Sequence, residues 1–248
     1  MKKLFFIIFL IFITFNISSQ DFNHEIGVSL GAVSIQSDYG ERGDFGSSYG
    51  NIGFGASLAY FISFNESYGR WNAKSAFLKE HFRFKLDASY MNVNFVHRGK
   101  YIESNDITAV KMAAMRGNTK IYNFGGQIEY SIFSFMDDRD FEPYIAMGMY
   151  YVLYDPDLTS ELGDWRDNPS YIPDVYQNGS IHLQKDKTQS ITFGAGTRYR
   201  FNNFTMVFDF RWQKFLTNNI DGLDPQLGAN KYRDWLLFAQ VGAVFKLN

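Results

Sequence analysis

A chain of 248 residues is long enough for one large domain. It has no cysteine, and so no disulfide and no thiolate metal site. Its 24 Lys and Arg against 26 Asp and Glu give a formal charge of −2, which excludes the basic face that a nucleic-acid partner requires. Aromatic residues reach 19%, with 26 Phe and 16 Tyr, yet mean hydropathy is −0.24. Apolar residues are therefore spread thinly over many short segments.

The chain opens with Lys2 and Lys3, an apolar run from Leu4 to Ile13, and Ile17-Ser18-Ser19 as a small-residue exit. That order reads as a secretory signal peptide over residues 1–19, cleaved near Ser19 or Gln20, ahead of a mature domain at 20–248. The run is short for a membrane span, which takes about 20 apolar residues. Without its two lysines the mature chain has 22 bases against 26 acids, a charge of −4. Past the signal no stretch of 18 apolar residues occurs, so a helical membrane bundle is excluded.

The mature chain instead shows period-2 alternation, the pattern of strands with two unlike faces. It appears at Ile26, Val28 and Leu30 against Glu25, Gly27, Ser29 and Gly31, then along Ile52 to Phe64. Phe82, Phe84, Leu86, Ala88 and Tyr90 oppose Arg83, Lys85, Asp87 and Ser89; Tyr122, Phe124, Ile128, Tyr130 and Ile132 oppose Asn123, Gly125, Gln127 and Glu129. Segment 143–155 is apolar or aromatic on both faces. Ile191 to Phe201, Phe204 to Trp212 and Leu237 to Leu247 complete the set. The predicted strands are 24–35, 50–65, 81–97, 118–135, 143–155, 189–202, 204–216 and 234–247.

Eight strands with long connections at 36–49, 98–117, 156–188 and 217–233, alternating with short ones at 136–142 and around Asn202-Asn203, match an outer-membrane barrel with its N-terminus in the periplasm. Segment 66–80 is long for a periplasmic turn and predicts a short helix around Ala73 to Lys79. The expected fold is all-β, an eight-stranded antiparallel up-and-down transmembrane barrel. Closure suits a bilayer because no backbone edge is left unpaired where water is absent. Tyr60, Phe64, Phe82, Tyr122, Phe201, Trp212 and Trp235 supply interfacial girdles. A secreted β-sandwich is the alternative, but it does not explain charges and glycines on one face and a continuous apolar face on the other.

By phase, Glu25, Arg83, Lys85, Asp87, Gln127, Glu129, Arg198, Arg200, Asp209, Arg211, Gln240 and Lys246 point inward. Buried charges must pair, and an eight-stranded lumen is just wide enough for side chains to fill it, so these residues predict a neutralising network that plugs the barrel. A narrow passive channel is the competing reading.

Other chemistry has weaker support. GERGDFGSSYG lacks the lysine of a phosphate loop and runs into a strand instead of a helix. Asp38, Glu41 and Asp44 form a candidate surface-loop ligand site, with calcium the cation that oxygen ligands would take, although the spacing matches no known calcium loop. The four histidines carry no zinc motif, and neither a metal nor a cofactor is expected. His97 with Ser104 and Asp106 can be drawn as a hydrolytic trio for a lipid-modifying enzyme. The aromatics and prolines of 156–188 suggest an ordered loop that contacts a partner.

HEIGVSLGAVSIQSDYGERGDF, with MRGNTK at 115–120, GTRYR at 196–200, IDGLDP and NKYRDWLLF, resembles an uncharacterised outer-membrane β-barrel family of Flavobacteria and related Bacteroidota. The resemblance spans most of the mature chain, SDYGERGDF being its most specific part. It implies an outer-membrane location and carries no activity or catalytic residues. The expected role is a non-enzymatic structural or interaction component, either an accessory of a secretion or outer-membrane assembly complex or a membrane-stabilising protein. Its partners would be outer-membrane lipid and lipopolysaccharide, and proteins met through the extracellular loops or the 66–80 connection.

Overall fold

The computed structural model describes residues 22–41, 44–48, 50–64, 73–134, 139–177, 179–225 and 234–247; the signal-peptide reading of 1–19 lies outside them. Eight strands close into one antiparallel up-and-down barrel in chain order. They are β1 Phe22–Gln36, β2 Ile52–Phe64, β3 Phe82–Val96, β4 Met115–Ser131, β5 Phe141–Ser160, β6 Asp186–Arg200, β7 Thr205–Phe215 and β8 Trp235–Leu247. Among the described residues three α-helical segments punctuate the connections, α1 Phe45–Ser48, α2 Ala73–His81 and α3 Ile107–Ala114, together with three single 3-10 turns. α2 begins where the sequence predicts a helix and runs into β3.

The barrel has a terminal end, where β1 begins and β8 ends beside the connections 65–81, 132–140 and 201–204, and a loop end, with 37–51, 97–114, 161–185 and 216–234. The shortest connection is a tight hairpin, Phe201 N–H donating to the Phe204 carbonyl at 2.9 Å, with Asn202-Asn203 at the centre where asparagine tolerates the left-handed backbone of such turns. At the other end Asn51 extends the β2–β3 ladder by side chain: its amide donates to the Val96 carbonyl and accepts from the Val96 N–H, both at 3.1 Å.

Strand stagger follows from the register. From Gln36 the hydrogen-bonded partners run through Trp235, Lys214, Ile191, Met149, Gly126, Leu86 and Tyr60 back to β1 at Ile26, ten residues below the start. Such a stagger tilts the strands and leaves an interior that side chains fill.

On β3, β4 and β5 the strand faces invert along their length. On β3 the outward row runs Phe84, Leu86, Ala88, Tyr90 and then Asn92, Asn94, while the inward row runs Arg83, Lys85, Asp87, Ser89 and then Met91, Val93, Phe95. β4 does the same: Ile128, Phe124 and Tyr122 give way outside to Lys120, Asn118 and Arg116, and Glu129, Gln127 and Asn123 give way inside to Ile121 and Met115. β5 changes from Met149, Tyr151 and Leu153 to Asp155 and Asp157 outside. Toward the terminal end the wall is therefore apolar outside and polar inside, the arrangement for hydrocarbon; toward the loop end it is polar outside and apolar inside, the arrangement for water. Tyr90 and Tyr122, 5.1 Å apart, and Trp212 and Trp235, 5.3 Å apart, mark the change.

This corrects one expectation. The inward face is charged only in its terminal half, because the strands outrun the apolar band. In the loop-end half Val33, Ile35, Met91, Val93, Phe95, Ile121, Val152, Phe215, Leu236 and Phe238 form a fully buried apolar core.

Candidate functional site

The charged residues of the lumen meet in two clusters. Nearer the terminal end, Arg198 donates to Glu129 at 2.7 Å and faces Glu25 at 3.6 Å. Arg83 donates to Glu142 at 2.9 Å and lies 3.8 Å from Glu25 and 3.7 Å from Glu129. Arg200, partly open at the rim, reaches Glu142 at 3.5 Å. The next level holds Arg211 on Asp87 through two parallel bonds of 3.1 and 3.0 Å, with Lys85 at 3.8 Å from both Asp87 and Asp209. Tyr144 donates to Asp209 at 2.7 Å, and Gln240 donates to its other oxygen at 2.9 Å.

The two most deeply buried guanidiniums, those of Arg198 and Arg211, are also flanked by rings. Arg198 lies 4.4 Å from the Phe61 centroid and 5.6 Å from Tyr144; Arg211 lies 4.8 Å from Tyr150 and 5.7 Å from Phe238. Planar cations stack on aromatic faces while keeping their in-plane donors for carboxylates. Above the charges, Gln213 donates to Asn123 at 2.9 Å and to Ser190 at 2.8 Å, forming an uncharged polar layer before the apolar core.

Thus Glu25, Arg83, Lys85, Asp87, Glu129, Arg198, Arg200, Asp209 and Arg211 come together inside the barrel. Lys246, also read as inward, is exposed at the terminal mouth. Sequence reasoning missed Glu142, which neutralises Arg83 and Arg200 and accepts from Ser131 at 2.7 Å. The signal was present: Glu142 falls in phase with Tyr144, but starting the strand at Pro143 left it in the turn.

Asp38, Glu41 and Asp44 do not converge. Asp38 gives its backbone N–H to Asp221 at 2.8 Å. Glu41 pairs with Lys100, whose hydrogen bonds hold the carboxyl below its ordinary range. Asp44 accepts from the Ser47 N–H at 2.9 Å, and hydrogen bonds from the Ser47 side chain and then its backbone lower the carboxyl likewise. No group of three or more metal-ligating side chains forms among the described residues.

The trio drawn around His97 also comes apart. Ser104 and Asp106 are exposed, Asp106 capping α3 through the Ala109 N–H at 2.8 Å. His97 is buried between the Tyr39 and Tyr176 rings at 4.5 and 5.7 Å, and burial, aided by the Arg116 charge, pushes its pKa down to about 3. A neutral imidazole held in an aromatic stack has no nucleophile to serve.

The loop end is a packed cap. Tyr39, the tyrosine of SDYGERGDF, is fully buried on Phe95 at 5.1 Å. Ile172 and Tyr176 turn inward from the 161–185 connection, and Trp165 donates to the Leu158 carbonyl at 2.9 Å. The aromatics that suggested a partner-contacting loop are instead consumed by the cap, and the connection is shorter than predicted because β5 runs on to Ser160. Ile220 and Leu223 descend from the β7–β8 connection, with Thr119 donating to the Ile220 carbonyl at 2.8 Å. Gly117 on β4 leaves the space that the Tyr39 hydroxyl occupies. Gly117→Val should expel the ring at a cost of about 1–3 kcal/mol, read as faster proteolysis of the loop end.

No protein-family model matches the chain, and no curated protein matches it. Among solved structures it is similar to Ail, the attachment invasion locus protein of Yersinia pestis, at 13% identity over 92% of this chain and 100% of that one, with a TM-score of 0.45. Neisserial surface protein A is 10% identical over 90% and 97% of the two chains, TM-score 0.46. A major outer membrane protein from Thermus thermophilus is 13% identical over 91% and 99%, TM-score 0.49. At these identities and TM-scores the likenesses carry no argument of their own. By its own closed register and outward apolar band the chain is an eight-stranded antiparallel up-and-down barrel with the outer-membrane fold.

Proposed function

We propose that the protein is a non-enzymatic component of the bacterial outer membrane, exported by a cleaved signal peptide, with its terminal end in the periplasm and its loop end at the cell surface. Its work is structural or interactive, as an accessory of a secretion or outer-membrane assembly complex, and it belongs to the flavobacterial family that its first loop resembles. The observation that carries this reading is the double closure of the barrel: paired charges fill the membrane half and an apolar cap fills the surface half. The described side chains of the lumen are buried, which favours the outer surfaces as the part that acts. All four loop-end connections are long, whereas two of the three at the terminal end, 132–140 and 201–204, are short, and this supports the orientation despite the long 65–81 segment.

Outer-membrane fractionation with heat-modifiable gel migration tests the location. Affinity purification in mild detergent should recover a stoichiometric partner, and a clean monomer would count against an interaction role. In planar bilayers the pure protein should carry no sustained current; steady open-channel conductance would overturn the sealed lumen.

A further inference from the structure

The outer wall just beyond the aromatic rows carries a localised positive charge. Lys120 on β4 and Lys187 on β6 are exposed, and Lys214 on β7 is half-buried with its Nζ 5.5 Å from the Trp235 ring centroid. Ten residues of stagger over eight strands move a line of constant height by a little over one residue per strand. Tyr154 on β5 pairs with Ile121 on β4 and with Asp186 on β6. One residue toward the loop end on β4 is Lys120, and one residue toward the terminal end on β6 is Lys187. The two therefore stand level, two strands and roughly 10 Å apart; Lys214, on the adjoining strand, pairs with Ile191, four residues from Lys187 toward the terminal end, and so stands lower, at the upper edge of the aromatic rows. Asp155, outward between them, is engaged by Lys185 at 2.9 Å. Lys120 and Lys187 have no ion partner among the described residues.

Immediately below lie Tyr122, Tyr151 and Leu153, at 41%, 44% and 39% exposure, which continue the apolar band. We propose that Lys120, Lys187 and Lys214 dock the phosphates of a phosphorylated glycolipid of the outer leaflet, whose acyl chains lie on Tyr122, Tyr151 and Leu153. The inference rests on the outer-membrane reading above. Charge complementarity and continuity with the lipid-facing band specify the occupant. A disaccharide headgroup with two phosphates spans two lysines at this separation, whereas a phospholipid's single phosphodiester meets one.

Native mass spectrometry of the detergent-solubilised full chain, titrated with bis-phosphorylated lipid A, the same lipid after dephosphorylation, and phosphatidylglycerol, tests the proposal. At about 1 kcal/mol per surface lysine, each Lys→Gln change should weaken lipid A binding about fivefold. The triple variant K120Q/K187Q/K214Q should lose roughly a hundredfold, and the triple Lys→Arg variant should retain binding. K246Q, at the opposite end, should leave it unchanged. Undiminished binding by the triple Gln variant, an equal loss in K246Q, or equal affinity for dephosphorylated lipid A or phosphatidylglycerol would overturn it. Fractionation fails separately: a chain absent from the outer membrane removes the reading beneath, whereas a correctly located triple variant that keeps its lipid A removes only this proposal.

Discussion

Arg211→Met is expected to destabilise the barrel by about 3–5 kcal/mol, the range for removing one partner of a buried ion pair. Arg211 is fully buried, and both its bonds go to Asp87, itself buried in the lumen wall. Without the guanidinium, the cation left beside Asp87 among the described residues is Lys85 at 3.8 Å, too far for a direct hydrogen bond. The cost lies mainly in the stranded carboxylate, so R211M/D87L should recover most of the loss, since methionine and leucine restore a packed, uncharged centre. Arg166→Met is the control: Arg166 and Asp157 are paired at 3.3 Å with both side chains more than half exposed, and such pairs contribute little. Urea-dependent refolding into vesicles, followed by heat-modifiable migration, measures all three. Equal midpoints for R211M and R166M would show that the lumen charges are not a stabilising network.

Raising the pH from 5 to 9 is expected to loosen the loop-end cap while leaving the membrane half intact. Asp221 and Asp234 are buried there. Burial pushes Asp221 up to about 7, even though its carboxylate accepts from the Leu223 and Asp38 N–H groups. Asp234, which accepts from Ile220 N–H at 2.9 Å, is raised well above the ordinary value by burial and by the charges of Asp221, Asp38 and Asp224. For acids whose folded pKa exceeds the unfolded one, the stabilising contribution is complete below about pH 4 and is lost as pH rises through the folded value, here near 7 for Asp221. With about 1.4 kcal/mol for each pKa unit, the loss is on the order of a few kcal/mol. Hydrogen exchange at Ile220 and Leu223 should accelerate beyond the intrinsic pH effect, and Asp221→Asn with Asp234→Asn should flatten that dependence. Protection that does not change between pH 5 and 9 would refute this account.

Both expectations trace to how far each part of the molecule can be read from neighbouring residues in the chain. Alternation at Arg83, Lys85 and Asp87 against Phe84, Leu86 and Tyr90 reports which face meets lipid, because hydrocarbon admits no unpaired charge and a strand's side chains alternate strictly. The inversion of that pattern was also legible: Met91, Val93 and Phe95 keep the inward phase of Arg83, and Asn92 and Asn94 keep the outward phase of Phe84. Averaging each strand into one apolar and one polar face concealed it. Glu142 was missed for a related reason, since a strand boundary placed one residue late turns an inward carboxylate into a loop residue.

Pairing across the lumen is another matter. Arg211 and Asp87 lie 124 positions apart, Arg198 and Glu129 lie 69 apart, and Tyr39 meets Phe95 and His97 from a different loop. The sequence alone determined the class of this protein: eight strands, their lipid face, the even count that closes without an edge, and the side on which the long connections lie. Only the tertiary structure decided which cation meets which acid, that Asp38, Glu41 and Asp44 part company, and that SDYGERGDF contributes a plug through Tyr39. The physical reason is the stagger. Alternation is a property of one strand, but what faces what inside a barrel depends on the ten-residue shift accumulated round all eight.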